Sequence, residues 1–504
     1  MNTSADELEQ IARRASDAAP AWAAISPSVR AAALVAAAEA LEEAGPRLVA
    51  IGMDETGLSQ ARLTGELKRT AVQLRLFAEV VLDGAYLDVR IDEADSDFAL
   101  GVRPDLRRYQ IPVGPVVNFA ASNFPFAFSV AGGDTASALA AGNPVIVKAH
   151  SGHPSLSAHT AKVVAGALEA AGAPLGTLQL ISGQEAGVAM LKHPLVAAGS
   201  FTGSIRVGRM LADIAAARSA PIPFYGELGS VNPAFVTQAA LVEQAAAIAD
   251  GFVTSVSASA GQFCTKPGFL FVPVGHGMGE RLAAKAVAVD EHRMLNPGIA
   301  TGFRDRRSAI LNTPGIIILA EGMLRFDDFG QGWATPTIVS ISVADLLAQR
   351  ETLTDEAFGP LSIVVEYNPD DDLAAVADQL FEGSLTGTVH MGSGEDTARL
   401  RSLIQWLTQH AGRVLFGGWP TGVAVSPAMQ HGGPWPSTTN DTSTSVGTAA
   451  IARFLRPVSY QGAPQELLPE PLRDDNPWAV PQHRNLAGDS LTWGDFARPV
   501  DVHP

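Results

Sequence analysis

The sequence predicts an α/β fold that contains parallel β-sheet and is divided into more than one domain. Between residues 111 and 218, short apolar segments typical of strands alternate with longer segments of helical periodicity. Strands that alternate with helices in this way form parallel sheets with crossover helices. The chain has 504 residues, and single hydrophobic cores stop growing beyond about 250–300 residues, so we expect at least two domains.

The predicted elements follow in order along the chain. Residues 1–82 are rich in alanine and helical in period, with an amphipathic helix in "SVRAAALVAAAEALEEAG" that ends at Gly45. The charged segment 83–110 predicts a pair of strands with turns. Predicted strands then occupy "IPVGPVVNFA", "NPVIVKAH", "LGTLQLISG" and "VAAGSFTGS", with helices between and after them in "GGDTASALAAG", "PSLSAHTAKVVAGALEAAG", "EAGVAMLKHP" and "IRVGRMLADIAAARS". The pattern continues less regularly through "GFLFVPV", "LSIVVEY" and "GRVLFGGWP", and the tail from 463, rich in proline and charge, is expected at the surface.

Composition and charge exclude several classes of protein. The 52 acidic and 35 basic residues give a net charge of −17, which argues against nucleic acid or an anionic membrane as a partner. One cysteine cannot form an internal disulfide, so the fold does not depend on an oxidising compartment. No signal peptide and no uninterrupted apolar span is recognised. We therefore expect a soluble, cytoplasmic protein.

Two glycines and a lysine follow predicted strands, where α/β sheets bind ligands. In "SFTGSIRVG", Gly203 and Gly208 lie between a strand and a helix. Glycine lets a backbone approach a phosphate, and a helix N-terminus offers free N–H groups. The spacing is not the usual G-x-G-x-x-G, and taken alone it is better explained as a simple strand–helix turn. Lys148 in "VIVKAH" lies at the end of a buried strand. Binding to a ribose or a phosphate and simple solvation are equally suited to a lysine at this position.

Three further segments carry polar groups suited to catalysis or binding. Asn123 in "ASNFPF" suits donation to a developing oxyanion, although a turn asparagine is the commoner role. Glu227 in "YGELGSVNP" lies between glycines and suits a general base, with a surface turn as the alternative. Glu356 and Phe358 in "DEAFGP" are further candidates, and the alternative for this segment is an acidic loop with one buried ring.

The single cysteine, Cys264, lies in "GQFCTKPG". A lone cysteine most often packs as a small hydrophobic residue. Here the preceding "SVSASAGQF" consists mainly of small residues rather than a Val/Leu/Ile run, and Lys266 adds positive charge that favours the thiolate. The surroundings therefore indicate a reactive thiol.

Six segments together resemble the aldehyde dehydrogenase superfamily in order and spacing: "NFAASNFPFAF", "VIVKAH", "FTGS", "ELGSVNP", "GQFCTKPG" and "EAFGP". Glu227 precedes Cys264 by 37 residues, close to the interval usual in that family. Within the superfamily, "AGGDTASALAAGNPVIVKAHSGHP", "HGGPWPSTTNDTSTSVGTAAIARFLRPVSYQ" and "LRDDNP" look like one bacterial branch. That branch contains α-ketoglutaric semialdehyde (2,5-dioxovalerate) dehydrogenases and related NADP-dependent aldehyde dehydrogenases. The likeness covers roughly residues 100–478.

The resemblance implies an aldehyde dehydrogenase-like α/β fold of three parts. A Rossmann-like cofactor domain would comprise residues 1–92 and 112–229, and an α/β catalytic domain residues 230–449. A small β oligomerisation arm would comprise residues 93–111 and 450–462. Such an arm offers an unpaired edge that another subunit covers, so a homodimer or a homotetramer is expected.

The resemblance also implies roles for the candidate residues. Cys264 would attack the aldehyde carbonyl, Asn123 and the backbone N–H of Cys264 would hold the oxyanion, and Glu227 would activate the water that hydrolyses the thioester. No metal is expected. The remaining candidates would bind the nicotinamide cofactor: Lys148, Ser151, Gly203, Ser204, Gly208, Glu356 and Phe358.

NADP is the expected cofactor, with NAD also accepted. NAD-preferring relatives place a glutamate three residues after the lysine, where this chain has Ser151, so no carboxylate repels a 2′-phosphate. NADP-specific relatives often add an arginine near the start of the next helix, where this chain has Gln184. The expected preference is therefore modest.

The predicted reaction is oxidation of α-ketoglutaric semialdehyde to 2-oxoglutarate. A broad-specificity NADP-dependent enzyme for aliphatic or aromatic aldehydes is the alternative. A coenzyme A-acylating dehydrogenase usually lacks the glutamate found at 227. A non-catalytic binding or structural relative tends to lose the thiol or the glutamate, and this chain keeps both.

Overall fold

The computed structural model of the chain describes residues 2–494. Its α-helices are α1 (Ala5–Ala24), α2 (Pro27–Glu43), α3 (Gly45–Thr56), α4 (Gln60–Asp83), α5 (Gly133–Ala141), α6 (Pro154–Ala170), α7 (Gln184–Lys192), α8 (Ile205–Ala216), α9 (Gln238–Ser257), α10 (Gly279–Val287), α11 (Pro297–Leu311), α12 (Val343–Ala348), α13 (Arg350–Leu353), α14 (Leu373–Leu380) and α15 (Ala398–His410). Its β-strands are β1 (Val89–Asp92), β2 (Leu106–Pro112), β3 (Val116–Phe119), β4 (Val145–Lys148), β5 (Leu178–Ile181), β6 (Ala198–Thr202), β7 (Phe224–Glu227), β8 (Pro233–Val236), β9 (Phe269–Pro273), β10 (His292–Arg293), β11 (Ile317–Ala320), β12 (Leu324–Phe326), β13 (Gly332–Ala334), β14 (Thr337–Ser342), β15 (Leu361–Tyr367), β16 (Ser384–His390), β17 (Ala411–Phe416), β18 (Leu455–Gln461) and β19 (Gln482–Asn485).

A five-stranded parallel sheet forms where the sequence alternates strands and helices. Its strand order is β5-β4-β3-β6-β7, and all neighbouring pairs are parallel. Helices α5 to α8 connect its successive strands. This confirms the predicted α/β class. It also brings the carboxyl ends of the strands to one edge, where open α/β sheets bind their ligands.

The alanine-rich N-terminal segment forms the predicted helices. Small side chains let α2 pack closely against α4, and the buried Trp22, Leu34 and Phe77 belong to the core that these helices share with the sheet. Helix α2 ends at Glu43, and Gly45 begins α3 rather than ending α2. Helices α2 to α4 therefore cover one side of the five-stranded sheet, whereas Leu8 and Ile11 of α1 pack with Ile146 on the other side.

Helix α4 also fixes the chain that follows β3. The buried carboxylate of Glu66 accepts hydrogen bonds from the backbone N–H groups of Phe126 and Ala127, at 2.8 Å each. Arg62, one turn earlier on the same helix, forms an ion pair with Glu66. A buried carboxylate persists only when its oxygens are paired in this way. The segment around Asn123 is thus held against α4.

A second sheet of seven strands has the order β11-β14-β15-β9-β8-β16-β17. Its strands are parallel except β11, which is antiparallel to β14. The central strands are almost continuously buried. Such apolar strands are typical of a parallel sheet covered by helices on both faces.

Within the described chain, Gln238–Gly261 is the one helical segment long and apolar enough to match a membrane span, with a mean hydropathy of 1.2. It includes α9 and carries Glu243 and Asp250. Phe252, Val253 and Val256 are buried against the seven-stranded sheet, whereas Val242 is exposed. This arrangement is typical of a core helix in a globular domain.

A four-stranded sheet has the order β18-β2-β1-β19, and a three-stranded sheet has the order β10-β13-β12. The tail predicted at the surface is partly folded into the first of these, because β19 pairs with β1 and Leu468, Leu472 and Val480 are buried beside it. Residues 495–504 of that tail lie outside the described residues. The domain boundaries, assembly through the arm and the cytoplasmic location stay predictions.

Candidate active site

A cavity of about 1030 Å³ opens at the carboxyl edge of the five-stranded sheet. The chain after β3, β4 and β6 forms one wall, and the segment around Cys264 forms another. Single small-ligand pockets are usually about 300–1,000 Å³, so this volume suits a large ligand. Most of the sequence-predicted site residues line it: Asn123, Lys148, Ser151, Gly203, Ser204, Cys264, Glu356 and Phe358.

A tight turn brings Cys264 to this cavity. After α9 the backbone enters the left-handed region at Ser259 (φ 48°) and Ala260 (φ 54°), and stays there at Gly261 (φ 64°). A Cβ on Gly261 would lie 2.4 Å from the carbonyl oxygen of Gly359, so a side chain does not fit. Gly261 is therefore required by the turn that precedes the cysteine.

Asn232 fixes the backbone on the other side of the thiol. Its Nδ2 donates to the carbonyl oxygen of Cys264 at 2.6 Å and to that of Lys266 at 3.0 Å. The Lys266 ammonium is buried and donates to the carbonyl oxygen of Leu361 at 2.6 Å. The Lys266 ammonium is therefore directed to a backbone carbonyl rather than to the thiol, and its effect on the thiolate stays a prediction.

Cys264 lies beside a buried histidine and a buried carboxylate. The Nε2 atom of His431 is 3.7 Å from the Cys264 Sγ and 3.0 Å from Glu227 Oε1. The hydroxyl of Ser445 donates to Glu227 Oε2. Because β7 ends at Glu227, its carboxylate reaches the same edge of the sheet as the cavity. The structure thus brings the predicted nucleophile and the predicted base together.

Sequence patterns do not single out His431 and Ser445. Both lie in the irregular segment between β17 and β18, which has no helical or strand period. The one signal is indirect, since "HGGPWPST", a segment that resembles the bacterial branch, begins with His431. Its Nδ1 atom has no hydrogen-bond partner in the described chain, which leaves Nε2 as the nitrogen that faces the site.

Burial and charge act in opposite directions on the two candidate catalytic groups. Burial by itself would raise the pKa of Glu227, but His431 and Ser445 together lower it below its ordinary value. Burial and the negative charge of Glu227 raise the pKa of Cys264 well above its ordinary value. The free site therefore holds an ionised carboxylate beside a protonated thiol at neutral pH.

Asn123 lines the cavity that Cys264 also lines. Its side-chain Nδ2 donates to the carbonyl oxygen of Gln262 at 3.1 Å, two residues before the cysteine. An amide nitrogen has two N–H groups, so one is left to face the cavity. Its role at the oxyanion stays a prediction.

The other end of the cavity has the features of a cofactor groove. Lys148 lines it at the end of β4, and burial lowers the pKa of this lysine. Ser151 and Gln184 line it as the sequence predicts. Lys192 and Arg206, two basic residues outside the predicted motifs, also line it, together with the acidic Glu185. The groove is therefore more basic than the motifs alone indicate.

The two glycines of "SFTGSIRVG" differ in position. Gly203 lines the cavity, and a Cβ there would lie 2.4 Å from the ring of Phe201. Gly208 is buried in α8 outside the cavity lining, where a Cβ would lie 2.1 Å from a methyl group of Leu228. Gly208 therefore serves close packing of α8 against Leu228, while its neighbours Val207 and Met210 line the cavity, and its contact with the cofactor stays a prediction.

Glu356 lines the cavity near Cys264, and its Oε1 atom is buried without a hydrogen-bond partner. Its other oxygen, Oε2, lies 2.4 Å from where a Cβ of Gly229 would be, so a side chain at 229 would displace it. Burial raises the pKa of this carboxyl, and the positive charge of Lys266 opposes that effect only in part. A buried acceptor without a partner marks a place for a ligand hydroxyl.

These residues fit a bound nicotinamide dinucleotide. Lys148, Gly203 and the unpaired Glu356 oxygen lie along one cavity, as a ligand with two riboses and a pyrophosphate requires. Glu227, Cys264 and His431 are also of residue types that bind zinc, with ligand atoms within 4.8 Å of one another. The prediction that no metal is bound stays a prediction.

A thiol beside an ionised carboxylate, at one end of a groove that fits a nicotinamide dinucleotide, is the arrangement expected of an oxidoreductase. The model of the Aldehyde dehydrogenase family matches residues 1–457. The chain therefore belongs to the aldehyde dehydrogenase family and is an NAD(P)-dependent enzyme that oxidises an aldehyde to a carboxylic acid. This confirms the family that the six motifs predict.

Two curated relatives match most of the chain. It is 43% identical over 484 residues to α-ketoglutaric semialdehyde dehydrogenase 2 of Azospirillum brasilense, covering 95% of this chain and 91% of that protein. It is 41% identical over 478 residues to α-ketoglutaric semialdehyde dehydrogenase of Acinetobacter baylyi (strain ATCC 33305 / BD413 / ADP1), covering 94% and 89%. The crystal structure of PnpE in complex with nicotinamide adenine dinucleotide has a TM-score of 0.76 at 22% identity, covering 90% of this chain and 89% of that one, and it shows the fold.

Proposed function

We propose that this enzyme oxidises α-ketoglutaric semialdehyde to 2-oxoglutarate. The observation that carries the proposal is the high identity, over almost the whole chain, to two relatives with that name. The same segments that resemble this branch contain His431 and Ser445, which contact the Glu227 carboxylate. The identity to these relatives and the contacts in the site therefore support the same proposal.

The site residues have the following roles in this proposal. The Cys264 thiol first loses its proton to solvent, and the thiolate then attacks the aldehyde carbon and forms the C–S bond. The electron pair of the carbonyl π bond moves to the oxygen, whose negative charge is held by Asn123 and the Cys264 backbone N–H. Bound NAD(P) supplies the acceptor for the hydride that leaves this carbon. Glu227 then takes a proton from water, the water oxygen attacks the thioester carbon, and the sulfur leaves as thiolate.

The test of the proposed substrate is a panel of aldehydes assayed with wild-type enzyme. α-Ketoglutaric semialdehyde should show the highest kcat/KM, above the aliphatic and aromatic aldehydes and above other oxo-acid aldehydes. An equally high value for several aliphatic or aromatic aldehydes would instead support a broad-specificity enzyme.

Product analysis with and without coenzyme A should give the free acid in both cases. An acyl-coenzyme A product would overturn the hydrolytic role of Glu227.

We also propose a modest preference for NADP over NAD, of roughly tenfold in kcat/KM, since one charged hydrogen bond is worth about that factor. Ser151 leaves room for a 2′-phosphate, and the nearby Lys148 offers positive charge.

Ser151→Glu should reverse the cofactor preference by repelling the phosphate and binding the ribose hydroxyls, whereas Gln184→Arg should sharpen the preference for NADP. Steady-state kinetics with both cofactors measure the ratio. A wild type that prefers NAD and does not respond to Ser151→Glu would contradict this placement of the adenine ribose.

A further inference from the structure

Three phenylalanine rings form a cluster beside the cysteine segment, outside the lining of the cavity described above. Phe263 directly precedes Cys264, and its ring centroid is 5.4 Å from that of Phe124. The Phe124 ring is in turn 5.4 Å from Phe128, which lies 6.3 Å from the ring of His431. His431 contacts the Cys264 sulfur. The aromatic cluster Phe124, Phe128 and Phe263 is therefore continuous with the catalytic groups.

Arg69 of α4 lies over this aromatic cluster. Its guanidinium carbon is 5.7 Å from the ring centroid of Phe124 and 5.6 Å from that of Phe128. Its Nε and Nη2 atoms are buried and have no hydrogen-bond partner in the part of the chain that the structure describes. An unpaired buried guanidinium is costly, since it has lost its water without gaining an acceptor.

The nearby carboxylates already have other partners. Glu66 pairs with Arg62 and with the backbone N–H groups of Phe126 and Ala127. Glu227 accepts a hydrogen bond from Ser445 through Oε2, and its Oε1 atom lies 3.0 Å from His431 Nε2 without a hydrogen bond. Arg75, further along α4, pairs with Glu42 on the surface. Among these arginines, Arg69 alone keeps unused donors, and it lies beside the reactive groups.

The charge of Arg69 also reaches the site. Its positive charge opposes the rise in the pKa of the Cys264 thiol that burial and Glu227 cause. Burial lowers the pKa of Arg69 itself, with Glu66, Cys264 and Glu227 among the groups that interact with it. A planar guanidinium against aromatic rings is suited to hold a carboxylate in a fixed orientation.

We propose that Arg69 binds the carboxylate of an aldehyde substrate that carries an acid group, and so selects oxo-acid aldehydes over neutral aldehydes. The inference rests on the proposed function, because α-ketoglutaric semialdehyde carries such a carboxylate. The aromatic cluster would contact the carbon chain of the substrate while the aldehyde reaches Cys264. Arg69 is thus a specificity-determining residue, separate from the groups that make and break the C–S bond.

The test compares 5-oxopentanoate with pentanal, which have the same chain length and differ by the terminal carboxylate. Wild type should prefer 5-oxopentanoate. In Arg69→Met, kcat/KM for 5-oxopentanoate should fall about 10- to 100-fold more than kcat/KM for pentanal, mainly through KM. Pentanal should lose only what the missing positive charge beside the thiol costs in thiolate fraction. Arg69→Lys keeps the charge and should retain part of the preference. Arg75→Met, on the same helix but outside the site, is the matched control and should leave the ratio unchanged.

A binding measurement separates selection from structural damage. Glutarate, a dicarboxylate with no aldehyde, should slow alkylation of Cys264 by iodoacetamide in wild type and in Arg75→Met but not in Arg69→Met. Equal losses for both aldehydes in Arg69→Met, or a wild type that prefers pentanal, would overturn the inference. If the Arg69-dependent preference for 5-oxopentanoate is present but α-ketoglutaric semialdehyde is a poor substrate, the proposed substrate is wrong and the role of Arg69 stands.

Discussion

Replacing Cys264 with alanine is expected to lower dehydrogenase turnover by at least about a thousandfold, because no covalent intermediate can then form. The fold and cofactor binding should be unchanged, since the thiol makes only weak contacts with His431 and Glu227. The turn that carries it is held by Gly261 and Asn232. Steady-state kinetics measure the loss. Fluorescence titration with the reduced cofactor and a thermal melt check that binding and fold persist.

The sole cysteine allows the same prediction to be tested by chemical labelling. Because the chain has one cysteine, the mass added by iodoacetamide reports on Cys264 alone. Activity should disappear in step with alkylation of the wild type, and a saturating aldehyde should protect against both. Substantial turnover by a folded Cys264→Ala variant would show that the thiol is not the nucleophile.

Local pattern was enough to predict the fold class and the strand ends that carry polar groups. The alternation of short apolar runs with helices between 111 and 218 corresponds to β3 through α8, with each strand pairing in parallel. Lys148 and Glu227 end strands of that sheet, so their side chains reach one edge. The pairing of Glu227 with Cys264 required the resemblance, because periodicity says nothing about contacts between separate sheets.

What the sequence could not predict depends on long-range contacts and on the direction of single side chains. His431 reaches Cys264 from 167 residues away, through a segment without periodicity. Lys266 is near the thiol in sequence, yet its ammonium bonds to Leu361. The strand β19, "QHRN", has no apolar alternation and forms because β1 offers an edge to pair with. Tertiary context decided each of these positions.

Replacing Glu227 with glutamine is expected to separate the two halves of the reaction. If the carboxylate activates the water, the first turnover should still release reduced cofactor as a burst, and the steady state should then be slower by about 10²- to 10⁴-fold. Stopped-flow absorbance measures the burst amplitude and the later rate. Ser445→Ala, which keeps the carboxylate and removes one of its partners, should reduce the steady state much less.

The outcome that contradicts this role is an equal loss in burst and steady state, which would show that Glu227 acts at or before hydride transfer.

The pKa values give a second, independent expectation. The negative charge of Glu227 helps to raise the pKa of Cys264, so Glu227→Gln should lower that pKa and increase the thiolate fraction at pH 7. Alkylation of Cys264 by iodoacetamide at pH 7 should therefore become roughly three- to tenfold faster in the variant, since a shift of one pKa unit changes the thiolate fraction up to tenfold. Slower alkylation would instead show that Glu227 takes the proton from the thiol, and the carboxylate would then act as the base for the nucleophile as well as for the water.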